Sequence, residues 1–172
     1  TIQIFSLISL LEIFYLIIVT LVIGYIFSGM IPLRQRNYLD ILKQKSFSFN
    51  FQEFKFASLV AAPGIILHEL AHKFVALGFG IPAIFQIWVF GLFLAIFLKL
   101  ISSPLLIIAP GYVNIGNVID PFQYRLIAFV GPLVNLLLWL ISYLILKTVK
   151  NLTRKQLIVL ALTKRINLIL FI

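Results

Sequence analysis

Long uninterrupted apolar runs alternate along this chain with short polar connections rich in lysine and arginine. The first run, from Phe5 to Met30, is as long as a helix needs to cross a bilayer, roughly 20 residues at 1.5 Å each. A second run, Ala57 to Gly80, holds the pair Pro63-Gly64 and ends at Gly78-Phe79-Gly80 before Pro82, a stop signal for a helix. A third, Ile84 to Leu98, is barely long enough to span, so it either crosses or only dips into the membrane. Between Pro104 and Val118, β-branched residues and paired breakers predict a short hairpin, which lipid tolerates only beside protein or a wet cavity. A further span runs from Phe122 to Leu146 and contains Gly131-Pro132 and Asn135, and a final helix starts near Gln156. The pattern predicts an all-α polytopic membrane protein with four to five transmembrane helices and a short re-entrant, hairpin-like region.

Residues 31 to 56 carry Arg34, Arg36, Lys43, Lys45 and Lys55 against Asp40 and Glu53, and read as a basic connecting loop. Phe47, Phe49 and Phe51 alternate there at strand period, which fits a stretch resting at the membrane interface or a strand that pairs with substrate. The chain thus divides into 1–56, a helix and basic loop, and 57–172, a membrane-embedded core. The second basic group is Lys147, Lys150, Arg154 and Lys155. Both groups fall on one side of the membrane, as the bias of cytoplasmic loops towards lysine and arginine requires, if the 84–118 region is re-entrant.

Composition agrees: 62% of residues are hydrophobic, 11% are charged and the mean hydropathy is +1.14, beyond the roughly 45–50% apolar content of soluble domains. The solvent is a lipid bilayer, and a multi-pass protein of the cell membrane is expected. A net charge of +9 raises nucleic acid as a partner, but the basic clusters are short and set between apolar runs, so no nucleic acid is expected. The absence of cysteine excludes disulfides, a thiolate nucleophile and cysteine-ligated zinc. The chain opens at Thr1 and stops inside an apolar run at Ile172, which reads as a fragment.

The chemistry lies in the second run, at His68-Glu69-Leu70-Ala71-His72. Helical residues four apart share a face, so His68 and His72, the two histidines of the chain, can offer imidazole nitrogens to one ion. Glu69 beside them fits a general acid/base that takes a proton from the attacking water and passes it to the leaving amine. A carboxylate near mid-membrane costs about 2.5–3.5 kcal/mol and persists mainly where it works. The alternative is a buried polar cluster without metal. A catalytic zinc uses three protein ligands, and the third is not evident. Asp120 before Pro121 has the chemistry of a helix cap, and Glu12 in the first span fits a ligand, a residue near a helix end or the partner of a basic residue.

These residues resemble the site-2 protease family of intramembrane zinc metalloproteases. The resemblance rests on His68-Glu69-Leu70-Ala71-His72 in an apolar helix, on Ala109-Pro110-Gly111 before a strand-like stretch, and on Gly131-Pro132-Leu133-Val134-Asn135, similar to the family's Gly-Pro-x-x-Asn segment. It covers about residues 57 to 172. It implies Zn2+ held by His68 and His72, Glu69 as the catalytic acid/base, and hydrolysis of membrane-anchored protein substrates within or next to the bilayer. It also implies a site role for Asn135, binding substrate backbone or orienting water, although an intramembrane asparagine equally bridges helices. The family's third ligand, an aspartate in an Asp-Gly segment, has no counterpart here, and it is expected beyond Ile172. A catalytically inactive homologue that binds membrane partners is the competing expectation. An ion transporter would carry more polar residues along its spans.

Overall fold

A computed structural model describes residues 7–28, 50–101, 103, 110–118 and 120–171. The basic residues Arg34 to Lys45, Phe47 and Phe49 lie outside the described residues, as do most of the breakers at 102–109. Helix α1 spans Leu10–Phe27 and starts at a capping box, in which Ser9 Oγ accepts from the Glu12 amide and the Glu12 carboxylate accepts from the Ser9 amide. Helix α2 spans Phe51–Gly78, so it begins at Phe51 rather than at Ala57, because the Asn50 side chain accepts from the amides of Gln52 and Glu53. It runs on through Pro63 and closes in a Schellman turn. There the Gly80 amide donates to the Leu77 carbonyl and the Ile81 amide to the Ala76 carbonyl, with Gly80 at φ 74°.

Strand β1 (Ala83–Ile87) follows, then helix α3 (Val89–Leu100), strand β2 (Gly111–Ile115), helix α4 (Pro121–Thr148) and helix α5 (Arg154–Phe171). Asp120 caps α4 by accepting from the Phe122 amide at 2.9 Å, the role its Asp-Pro junction predicts. Three helices, α1, α2 and α4, are long and apolar enough to cross a membrane. Against the expected four to five spans, the described residues thus hold three helices of spanning length. The third apolar run breaks into a strand and the 12-residue α3, and α5 carries Arg154, Lys155, Lys164 and Arg165.

The predicted local hairpin within 104–118 is also corrected. β2 pairs antiparallel with β1, across α3, in the register Ala83↔Ile115 to Ile87↔Gly111. The ladder is bracketed by Gly116 N–H to the Pro82 carbonyl and Trp88 N–H to the Pro110 carbonyl. In an antiparallel pair, bonded and non-bonded residue pairs alternate. The even-numbered residues therefore bond across the ladder, while Ala83, Phe85 and Ile87 on one strand and Gly111, Val113 and Ile115 on the other turn their N–H and C=O groups outwards.

Contacts at both ends fix helix directions. Glu12 meets Lys73, and Gly24 packs so closely against Ser58 that a methyl group would collide with Ser58 Oγ, so α1 and α2 are antiparallel. His72 meets Ile127 and His68 meets Asn135, so α2 and α4 are antiparallel too. The end of α2 and the start of α4 thus lie at one end of the bundle, and the segment between them enters and leaves there. Lys99 of α3 meets the other end of α1, where its Nζ donates to the carbonyls of Tyr25 (2.5 Å), Ile26 (2.8 Å) and Ser28. That end also holds Lys55, Lys147, Lys150, Arg154 and Lys155. The main core cluster joins Val19 and Ile23 of α1, Val60, Ala61 and Ile65 of α2, Phe85 of β1 and Ile166 of α5.

Candidate metal centre

Each residue turns an α-helix by about 100°, so one stretch of α2 addresses three neighbours in turn. His68 and His72 face α4, Glu69 is turned towards β2, and Lys73 is turned towards α1 and β1. The two imidazoles stand edge to face with ring centres 4.8 Å apart. Both Nε2 atoms converge on Gly131 of α4. A Cβ at that position would sit 2.6 Å from His68 Nε2 and closer still to His72 Nε2. The glycine of the Gly-Pro-x-x-Asn segment is therefore required by close approach, and Asn135 one turn on reaches the first histidine.

The outer nitrogens are both engaged. His72 Nδ1 lies 2.6 Å from the Ile127 carbonyl oxygen, an atom that only accepts, so Nδ1 carries the proton and Nε2 keeps a free lone pair. The fully buried Asn135 amide lies 2.8 Å from His68 Nδ1, while its Oδ1 has no partner. The oxygen and nitrogen of an amide are exchanged by a half-turn. With Oδ1 turned to His68, it accepts from Nδ1–H, the orphaned oxygen is satisfied and His68 Nε2 is also free. Two imidazoles with Nδ1–H held by acceptors and Nε2 lone pairs free on one side have the chemistry of two of the three protein ligands that a catalytic zinc uses. Residues His68 and His72 fit the metal. Among the described residues no third His, Cys, Asp or Glu joins them.

Glu69 sits at the wall of a cavity of about 540 Å³ shared with His72, Tyr112, Val113, Ile127 and Ala128. The outward amide of Val113 lies on the same wall, on the side of the Glu69 carboxylate. The outer edge of β2 thus runs past the glutamate that lies beside the two histidines. Glu12 is not at this site. It is buried against Lys73, away from the histidines, which fits the reading as the partner of a basic residue rather than a ligand. Motif reading did not reach the Ile127 carbonyl or the Val113 amide, because backbone groups carry no residue signature.

No family model matches the chain, and no solved structure matches it. Over 100 residues the chain is 33% identical to a protein of Methanocaldococcus jannaschii named "Putative zinc metalloprotease". The aligned stretch is 58% of this chain and 52% of that relative, so the chain spans about half the length of the protein it resembles.

Proposed function

We propose that this chain is the core of an intramembrane zinc metalloprotease of the site-2 protease type, cutting membrane-anchored proteins within or next to the bilayer. The observation that carries the reading is the convergence of both histidine Nε2 atoms on one point, with Glu69 on the adjoining cavity wall. Similarity to the named zinc metalloprotease supports the chemistry, and three helices of spanning length support the setting.

Zinc, when bound, supplies a Lewis acid that polarises the scissile carbonyl. His68 and His72 would hold it, kept in the right tautomer by Asn135 and the Ile127 carbonyl. Glu69 takes a proton from the attacking water as its oxygen adds to the carbonyl carbon, and returns that proton to the amine nitrogen as the C–N bond breaks. The substrate must be extended for its carbonyl to reach this point. The outward edge of β2, at Gly111, Val113 and Ile115, is a ready template for adding a substrate strand alongside Glu69.

The whole protein, purified without chelator, is expected to hold stoichiometric zinc by elemental analysis and to cleave a membrane-anchored reporter. Zinc content near zero would end the metalloprotease reading. Zinc without cleavage would favour the second reading, an inactive homologue, which the two-histidine set among the described residues supports. Asn135 has a separate test. Asn135→Ala is expected to weaken zinc binding by about 10–100-fold, the usual effect of losing a group that orients a metal ligand. A raised KM at unchanged zinc affinity would instead assign Asn135 to substrate binding.

A further inference from the structure

Beside the metal centre, α2 carries a second set of charges that the proposed chemistry does not use. Lys73, the residue after His72, is buried with its side chain 1% exposed, and its Nζ meets Glu12 Oε1 at 2.5 Å, with the Glu12 side chain 3% exposed. The same oxygen accepts from the Phe85 amide at 2.7 Å, and Oε2 accepts from the Ser9 amide at 2.7 Å. One carboxylate therefore ties together the start of α1, the histidine helix and β1.

The parity of the sheet gives this tie a direction. Phe85 is opposite Val113 in the register, and both belong to the pairs whose amides turn away from the ladder. The Phe85 amide leaves by the outer edge of β1 and donates to Glu12 at 2.7 Å, while the outer edge of β2, at Val113, faces the cavity that Glu69 lines. The two-stranded sheet thus lies between two carboxylates, held to the first by a hydrogen bond. One of them is anchored to the residue next to His72, and the other is the proposed acid/base. A two-stranded sheet is marginal by itself, and a buried edge amide without an acceptor is expensive where lipid replaces water. Glu12 supplies that acceptor, and Lys73 fixes where along α2 it is supplied.

We infer that Glu12 and Lys73 are positioning residues for the proposed protease: their ion pair locks the β1–β2 sheet in register with the histidine helix, so that a substrate strand added to β2 presents its carbonyl at the metal centre. This inference rests on the proteolytic reading for its last step only. The placement of the sheet is separable from catalysis and is measured separately.

The test uses the whole protein in detergent, with Glu12→Gln, Glu12→Met and the exchange of both residues, E12K/K73E. Peptide-resolved amide hydrogen exchange over 83–87 and 111–115, zinc content, thermal stability and the split between KM and kcat are read for each. Glu12→Gln keeps an acceptor for the Phe85 amide but leaves the buried Lys73 ammonium without its counter-charge, so it is expected to melt lower than the parent while its strand exchange stays slower than that of Glu12→Met. Glu12→Met removes it, and exchange over both strands is expected to rise by about tenfold or more as the sheet opens locally. Zinc content should hold, and KM should rise by roughly tenfold or more, since small misplacement of a substrate is enough for that. E12K/K73E restores opposite charges but sets an ammonium against the Phe85 amide. It should recover thermal stability without recovering slow exchange or low KM.

Recovery of all three by the exchanged pair would reduce Glu12 and Lys73 to a structural tie and overturn the inference. So would slow exchange in Glu12→Met. Should the parent protein cleave nothing, the exchange measurements still decide whether Glu12 holds the sheet, so failure of the inference and failure of the proteolytic reading are told apart.

Discussion

Glu69→Gln is expected to leave zinc in place and to reduce cleavage by about a hundredfold or more, the lower range of what a positioned acid/base contributes. Zinc should stay because the two Nε2 atoms converge over Gly131, on the α4 side of the helix, while Glu69 is turned to the cavity and β2. The strand should stay as well, because β2 is held by its ladder with β1, which Glu12 anchors through the Phe85 amide. What is lost is the group that moves a proton from water to the leaving amine. Elemental analysis and cleavage of a membrane-anchored reporter, measured on one preparation, check this. Cleavage at the parental rate would remove the assigned role, and loss of zinc together with activity would make Glu69 a ligand instead.

The part of this site that a sequence can show is the part built within one helix turn. His68, Glu69 and His72 are neighbours along the chain, so helical spacing alone brings the histidines together. Gly131 and Asn135 were visible as a segment, but their purpose was not. That the glycine is there to admit two imidazoles, and that the asparagine lies against His68 Nδ1, depends on how α2 and α4 cross. The strand pairing was hidden for a different reason. β1 and β2 are separated by α3 and the residues up to Pro110, so the breakers around Pro104 and Pro110 suggested a local hairpin where the true partner lies further back. Glu12 and Lys73 are 61 residues apart. Glu12 stood out as a charge in an apolar run, but nothing local pointed to Lys73 as its partner.

The directions of α2 and α4 bear on a tension in the charge pattern. With a third full crossing between α2 and α4, Lys55 and Lys147 would lie on opposite sides of the bilayer. The antiparallel contacts of α2 with α4 put them at one end, and Lys99 of α3 meets the same end of α1. The β1–β2 sheet packs beside the histidine helix α2, and its β1 strand also packs against α1.

Gly131→Val is expected to abolish zinc binding while leaving the bundle folded. Loss of a group that merely orients a metal ligand already costs about 10–100-fold in affinity. A branched side chain here does more, because its Cβ alone would overlap the space in front of both Nε2 atoms. The fold should tolerate the change, since the collision is with ring atoms at the site rather than with the main core cluster of Val19, Ile23, Val60 and Phe85. Gly131→Ala should fall between the parent and the valine variant. Gly78→Ala serves as the control, because nothing lies within 4 Å of a Cβ at that position. Zinc titration and a thermal melt of each variant check the expectation. Parental zinc affinity in Gly131→Val would mean that α4 moves aside or that the ion sits elsewhere, and the convergence of the two histidines on Gly131 would then no longer locate the metal.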